Sequence, residues 1–358
     1  MNQDPHSSTS PTTPGSPSSR SNLRRLALIG LGVTLLTTSG CSLRGGSDES
    51  PPPNLVGIEN ADSDTENALA DANAARESGN YEEALSMFRQ ILSENPTITG
   101  AYLGIAEIYM DGDDYERAEP VFRRAARLEP RNFDAQYGHG LALQMLGRFV
   151  EAIRAYQRAL AIAPDDPLAN RNIATSFLQI NDSASALDYA RRAVELAPDD
   201  GSARVNLGAI LEQEGDDAGA IEEYIVAIEL VEDDVAPVMM NLINCLAREK
   251  RYQEAANTAE NLIRIEPSAN AWERLGWARF RLQDYDGSTE AYRSAIDSDP
   301  AHWPSLNGLG VNALNRWLIS EKQDVTARQE AIDAFRRSLR QNSDQQKLVT
   351  LMTNYGLR

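Results

Sequence analysis

The sequence predicts an all-α protein, a solenoid of about eight two-helix repeats wound into a superhelix and closed by a C-terminal capping helix. Three observations predict it. A proline recurs at one position of the repeat, at Pro96, Pro130, Pro164, Pro198, Pro267 and Pro300, with neighbours 34 residues apart through Pro198. Two columns of small residues keep the same beat: Ala84, Ala118, Ala152, Ala186, Ala220, Ala255, Ser288 and Ala331, and then Ala72, Ala106, Gly140, Ala174, Gly208, Gly276 and Gly310. An aromatic column of Phe88, Phe122, Tyr156, Tyr224, Tyr292 and Phe335 runs beside them.

These columns have one physical reading. Proline lacks an amide proton and cannot continue the preceding helix, so each one ends a repeat. Two antiparallel helices approach closely only where each presents a small side chain, and large rings then fill the flanking holes. Polar steps such as SGNY, LGRF, EGDD and LQDY, where Gly, Asn or Asp leaves the helix, mark the turn inside each pair.

The elements follow in chain order. Residues 1–40 form an address, whose Ser/Thr/Pro-rich start, 1–22, is expected to be disordered because it buries too little apolar surface to offset ordering entropy. Arg20, Arg24 and Arg25 precede the apolar run LALIGLGVTLL, Leu26–Leu36. The run falls short of the ~20 apolar residues that cross a bilayer, and small residues and Cys41 follow it, as in a signal peptide. Residues 41–64, rich in Gly, Pro and acids, read as a tether stiffened at Pro51–Pro53. Residues 65–342 hold the repeats. The sixth places Ile243 in the small column and is expected to crowd its hairpin. The eighth carries an insertion within NALNRWLISEKQDVTARQ, between Gly310 and Ala331. Residues 343–358 read as the lid, with Ser343 as cap and Leu348, Leu351, Met352 and Tyr355 on one face, covering the apolar flank that a last repeat exposes.

Composition excludes several functions. The formal net charge is −19, and the segment before Cys41 is net basic, so the rest is more acidic still. Such a body repels phosphate backbones and anionic lipid, which argues against nucleic acid and against membrane contact through a protein face. Cys41 and Cys245 lie in unrelated segments, and no CxxC pair is present, so neither a disulfide framework nor a redox motif is expected. Cys245 reads as a buried small hydrophobe. His6, His139 and His302 are too scattered for a metal site, and no acid pair or nucleophilic triad stands out. No enzyme activity, cofactor, metal or small-molecule substrate is expected.

The repeat columns resemble the tetratricopeptide repeat over about residues 65–342. The resemblance implies a superhelix whose concave surface is lined by the first helix of each pair and binds a protein partner or an extended peptide. Residues placed on that surface include Tyr137, Leu141 and Met145, Arg171 and Thr175, Asn244 and Arg248, and Trp277 and Phe280. Asn172, Asn206 and Asn241 occupy one position in three consecutive repeats, a row that resembles the asparagine ladder of the O-GlcNAc transferase solenoid. Amides offer donor and acceptor and can pair with a peptide backbone, or can help the hairpins pack. Trp277 and Phe280, three residues apart, are candidates for an anchor pocket or for packing against the eighth repeat.

The ending LTTSGC resembles the lipobox of bacterial lipoproteins, departing from it at Thr38, where a branched aliphatic is usual. The resemblance implies that Cys41 is acylated, palmitate among the candidate chains, and becomes the mature N-terminus; two acyl chains anchor stably. A plain cleaved signal and a retained anchor are the other readings. Ser42 lacks the aspartate that resembles an inner-membrane retention signal, so the expected location is the cell envelope, on the outer membrane (or inner membrane) facing the periplasm. Similar envelope lipoproteins serve as pilus-assembly pilotins, outer-membrane assembly factors or hydrolase adaptors. The expected function is thus a membrane-tethered scaffold, with a periplasmic chaperone-like peptide binder or the targeting subunit of an envelope enzyme as alternatives.

Overall fold

The computed structural model describes residues 63–357. The expected signal peptide, the expected lipidation site at Cys41 and most of the expected tether lie outside the described residues. The described residues form helices only, arranged as eight successive hairpins and a final single helix. The hairpins are α1 (Ser63–Glu77) with α2 (Tyr81–Glu94), α3 (Thr99–Asp111) with α4 (Tyr115–Leu128), α5 (Phe133–Met145) with α6 (Phe149–Ile162), and α7 (Pro167–Gln179) with α8 (Ser183–Leu196). They continue as α9 (Gly201–Glu214) with α10 (Asp217–Leu230), α11 (Val235–Arg248) with α12 (Tyr252–Ile265), α13 (Ala269–Arg281) with α14 (Tyr285–Ser298), and α15 (Trp303–Ile319) with α16 (Val325–Gln341). The last helix is α17 (Gln346–Asn354).

Short side chains start many of these helices. Asp114, Asn132, Asp166, Asp182, Asp200, Asp216, Ser268, Asp284 and Asp324 each accept a hydrogen bond from the amide three residues on, which satisfies an amide the helix itself leaves open. Within the hairpins the chain reverses through left-handed residues, among them Gly79, Asp113, Gly147, Asn181 and Gly215, and also Lys250 (φ 61°) and Gln283 (φ 66°). The last two are not the Gly, Asn or Asp expected at such a step, and their Cβ atoms make the conformation cost about 1 kcal/mol.

Close packing follows the columns. The expected small residues Ala72, Ala84, Ala106, Ala118, Ala152, Ala174, Ala186 and Ala220 are fully buried. The rings sit where a glycine makes room: a Cβ on Gly140 would stand 2.7 Å from Tyr156, on Gly208 2.7 Å from Tyr224, and on Gly310 2.4 Å from Phe335, all within one hairpin. A further small column joins consecutive hairpins. A Cβ on Gly104 would stand 2.2 Å from Phe88, and on Gly138 2.3 Å from Phe122, each ring belonging to the preceding repeat. Tyr292 does both, lying over Gly276 of its own hairpin and Gly308 of the next.

Two local expectations change, and the expected insertion takes a definite form. Ile243 does not crowd the sixth hairpin: it is fully buried, and the position of the aromatic filler on α12 is held by Ala259, also fully buried. Bulk has moved from the second helix to the first. The insertion of the eighth repeat forms no long loop, since it lengthens α15 and α16 to 17 residues each. Ser343 does not cap the lid. The residue before α17 is Gln345, whose amide donates to Ser338 and to the Asn342 carbonyl, tying the lid to the end of α16. Leu348 and Met352 are buried as expected, but Tyr355 is exposed and Leu357, past the helix, is fully buried in its place.

Candidate partner-binding face

The first helices α1, α3, α5, α7, α9, α11, α13 and α15 carry the residues that the repeat pattern assigns to the binding face. The structure separates them into joints between repeats and side chains left available. Tyr137 and Leu141 belong to the interior, at 5% and 1% exposure, so neither lines a surface. Burial pushes the Tyr137 hydroxyl up to about 12, which keeps it protonated, and Asn172 Nδ2 donates to its oxygen at 2.9 Å. Arg171 is also buried, and its guanidinium meets Asp200, the cap of α9, at 2.7 Å.

The asparagine row is therefore not one surface feature. Asn172 is buried and joins the fourth repeat to the third through Tyr137. Asn206 is buried and donates to the Arg171 carbonyl at 3.1 Å and to Thr175 Oγ1 at 2.9 Å, joining the fifth repeat to the fourth. Both amides act between repeats, the packing role. Asn241 differs: it is half-buried, and so is Asn244 one turn on. Among the described residues, no side-chain hydrogen bond holds either amide.

Arg248, at the end of α11, reaches back to the fifth repeat, meeting Glu212 at 2.7 Å and Asp217 at 2.7 Å. Trp277 and Phe280 do not share one pocket, and neither ring pairs with one of the eighth repeat. Trp277 meets Tyr252 edge-on at 5.6 Å, with the Arg281 guanidinium above both rings, and Phe280 meets Tyr285 edge-on at 5.5 Å. Trp277, Phe280 and Met145 are half-buried. The half-buried amides of α11 and the aromatic edges of α13 thus follow one another on consecutive first helices.

Several polar joints had no counterpart in the sequence pattern. Arg76 and Glu107 form a buried ion pair at 2.9 Å between α1 and α3. His139 Nε2 lies 3.1 Å from Glu119 Oε1 in the interior, where burial lowers the imidazole against the carboxylate's pull. A charged residue one column from a small one was the available signal for Arg76 and Glu107, but their pairing is set by the stacking offset. Cys245 is fully buried, its thiol pushed up to about 12 by burial and then by Glu212, so it is held as a packed, protonated group.

The geometry can be set beside known proteins. The chain is 36% identical over 76 residues to the heat-shock protein cognate co-chaperone sgt12 of Aspergillus fumigatus, a match covering 21% of this chain and 20% of that protein. It is 34% identical over 95 residues to the cellulose synthase operon protein C of Pseudomonas fluorescens, covering 26% of this chain and 7% of that one. The chain therefore spans a fifth or less of these curated relatives. The solved structure of PilF from Pseudomonas aeruginosa is similar in fold, with a TM-score of 0.50 at 20% identity over 58% of this chain and 95% of that one. A tetratricopeptide repeat model matches residues 69–127, 103–167, 171–235 and 246–302. Matched over more than half its length, and built as eight stacked hairpins with a closing helix, the chain belongs to the tetratricopeptide repeat family of protein-interaction scaffolds.

Proposed function

We propose that the protein is a non-catalytic scaffold of the bacterial envelope, tethered to a membrane through lipidated Cys41, which grips an extended segment of a partner protein along its first-helix face. A place in pilus or secretion-machine assembly fits that reading. The observation that carries it is the patch on α11 and α13. Asn241 and Asn244 hold amides with no side-chain hydrogen bond among the described residues, and the edges of Trp277 and Phe280 continue the same face. Amides supply backbone-directed hydrogen bonds, and half-buried aromatics supply anchoring area at small entropic cost. Because Asn172 and Asn206 are bonded between repeats, the asparagine row keeps a free amide in one repeat only. That favours a selective adaptor over a chaperone that reads any backbone along a continuous row.

The test uses the full chain in its native cell, with a photo-crosslinking residue at Asn244 and, separately, at the exposed Glu290 as control. The Asn244 probe is expected to trap one protein, and Trp277→Ala is expected to weaken that capture about tenfold, the loss of one aromatic anchor. Equal capture at both positions would remove the binding face from the proposal. Lipidation is tested separately: Cys41→Ala is expected to abolish incorporation of labelled palmitate and to release the protein from membranes, and retention of the label would refute it.

A further inference from the structure

The insertion in the eighth repeat builds a pocket that borders the patch on α11 and α13 at Phe280, whose ring meets Tyr285 of the pocket lining. Helix α15 has 17 residues where α3, α5, α7 and α13 have 13. Its end, from Asn312 to Ile319, faces the turn between α13 and α14 and the first turn of α14 across a cavity of about 290 Å³. Asp284, Tyr285 and Asp286 line one side, and Asn312, Arg316 and Ile319 the other.

Asn312 points to the guest. It is 5% exposed, and its Nδ2 donates to Ser288 Oγ at 2.9 Å and to Thr289 Oγ1 at 3.1 Å. Both hydroxyls give their own protons to backbone carbonyls, Ser288 to Gly276 and Thr289 to Tyr285. They can therefore only accept from Asn312, and the amide orientation is fixed with nitrogen toward them. Its Oδ1 is then left buried without a partner. A buried acceptor without a donor costs about 1–3 kcal/mol, and a guest N–H would recover it.

The rest of the lining agrees on charge. Asp284 and Asp286 are both exposed carboxylates beside the cavity. Arg316, the one cation in the lining, is already paired with Asp324 at 3.3 Å and with Glu330, so it does not offset them. Arg279, from behind the lining, reaches Asp284 Oδ2 at 3.9 Å while pairing with Glu260 at 2.9 Å, which leaves Asp286 as the lining carboxylate with no ion pair among the described residues. Ile319, 67% exposed, and the Tyr285 ring offer apolar wall for an aliphatic stem, the surface on which long cationic side chains lie. We propose that this pocket receives a lysine or arginine side chain from a basic segment of a partner protein, its N–H completing Asn312 Oδ1 and its charge facing Asp284 and Asp286. The proposal rests on the scaffold reading only in that the guest is a protein; the pocket shares no lining residue with the Asn244 patch.

The test is methyl-detected NMR of the full chain, following the Ile319 signal, assigned by Ile319→Val. The probes are two heptapeptides, Gly-Ser-Gly-X-Gly-Ser-Gly, with X either lysine or norleucine, and free spermidine. The lysine peptide is expected to shift the Ile319 methyl saturably and the norleucine peptide not at all. Asp284→Asn with Asp286→Asn, which keeps a competent cap on α14, is expected to weaken the lysine peptide about tenfold, as loss of a charge-assisted contact does. Asn312→Leu is expected to remove the response. That side chain is buried, so the surface Asp pair, whose melting temperature is expected to stay unchanged, carries the test if the Leu variant unfolds. An equal response to norleucine, or a response untouched by the Asp pair, overturns the proposal. Spermidine binding as tightly as the peptide would assign the pocket to a small amine and overturn the partner assignment. Loss of the response in Asn244→Ala with Trp277→Ala would place binding on the other face and overturn it too, whereas its survival there leaves the pocket standing even if the groove proposal falls.

Discussion

Single methyl groups set the spacing between repeats. A Cβ on Gly104 would stand 2.2 Å from the Phe88 ring, inside any real contact, whereas on Gly100, one turn earlier on the same helix, it would stand 3.5 Å from Leu69 in ordinary contact. Gly104→Ala must push α3 away from the second helix of the preceding repeat, an overpacking cost of about 1–3 kcal/mol. Gly100→Ala adds helix propensity without a clash and is expected to be neutral or stabilising by up to about 1 kcal/mol. Thermal melts of the two variants check this, and Phe88→Leu added to Gly104→Ala should recover part of the loss because the two sites share one contact. Equal melting of both single variants would show that the ring moves aside freely. At this scale the sequence revealed which residues are small but not which ring each one admits. Asn172 shows the limit most clearly, because its partner Tyr137 lies 35 residues away and only the stacking offset brings them together.

Between elements, the joint of α1 and α3 carries a consequence for pH. Arg76 and Glu107 are 5% and 16% exposed at the side chain and 2.9 Å apart. Burial outweighs the pull of Arg76 and raises Glu107 from its ordinary 4.5 to about 7. A carboxyl whose folded value lies above its unfolded value favours the folded state most below about 4.5, and that contribution is lost as pH rises to about 7. Glu107→Gln, which cannot ionise, lacks this dependence. The wild type is therefore expected to lose stability relative to Glu107→Gln between pH 4.5 and 7, read as the difference between their urea midpoints. A difference that stays constant over that window would mean that Arg76 keeps Glu107 ionised throughout.

The elements themselves were largely legible. Prolines, small columns and aromatic fillers recur in most repeats, and a pattern stated several times over constrains the helices more strongly than any single motif. Departures were harder to read. The sixth repeat was expected to be crowded by Ile243, because the matching reduction at Ala259 is a relation between two helices. The insertion before Ala331 was legible as added length, but its conversion into added helix on both α15 and α16, and hence the cavity beside Asp284, depends on Trp317, which is buried and donates from Nε1 to the Lys322 carbonyl at 3.0 Å. The amide of Asn241 shares its repeat column with the amides of Asn172 and Asn206, which are bonded between repeats, so residue type and spacing alone did not distinguish the available one.

At the scale of the whole repeat array, substantial packing joins only helices that are first or second neighbours in the chain. No central core ties the first hairpin to the last among the described residues. Stability in such an array is a sum of repeat and neighbour terms, so damage stays near its origin. Tyr224, fully buried against Gly208 in the fifth repeat, is a site at which to test this. Tyr224→Ala leaves a cavity and is expected to cost about 3–5 kcal/mol locally. Native-state amide exchange should then accelerate in α9–α12, while α1–α4 and α15–α17 keep their wild-type rates, because those helices lie beyond second-neighbour packing with the damaged hairpin. A globular core would respond with uniform acceleration from α1 to α17, and that outcome would refute the nearest-neighbour account. The same locality bears on binding. If the repeats respond separately, a partner on α11 and α13 and a basic side chain beside α15 are coupled through the Phe280–Tyr285 ring contact and through the joint between the seventh and eighth repeats, where Tyr292 lies over both Gly276 and Gly308. Any cooperativity between the two sites should therefore weaken in Tyr292→Ala, while each site retains its own affinity, and cooperativity unchanged in that variant would place the coupling on the Phe280–Tyr285 contact.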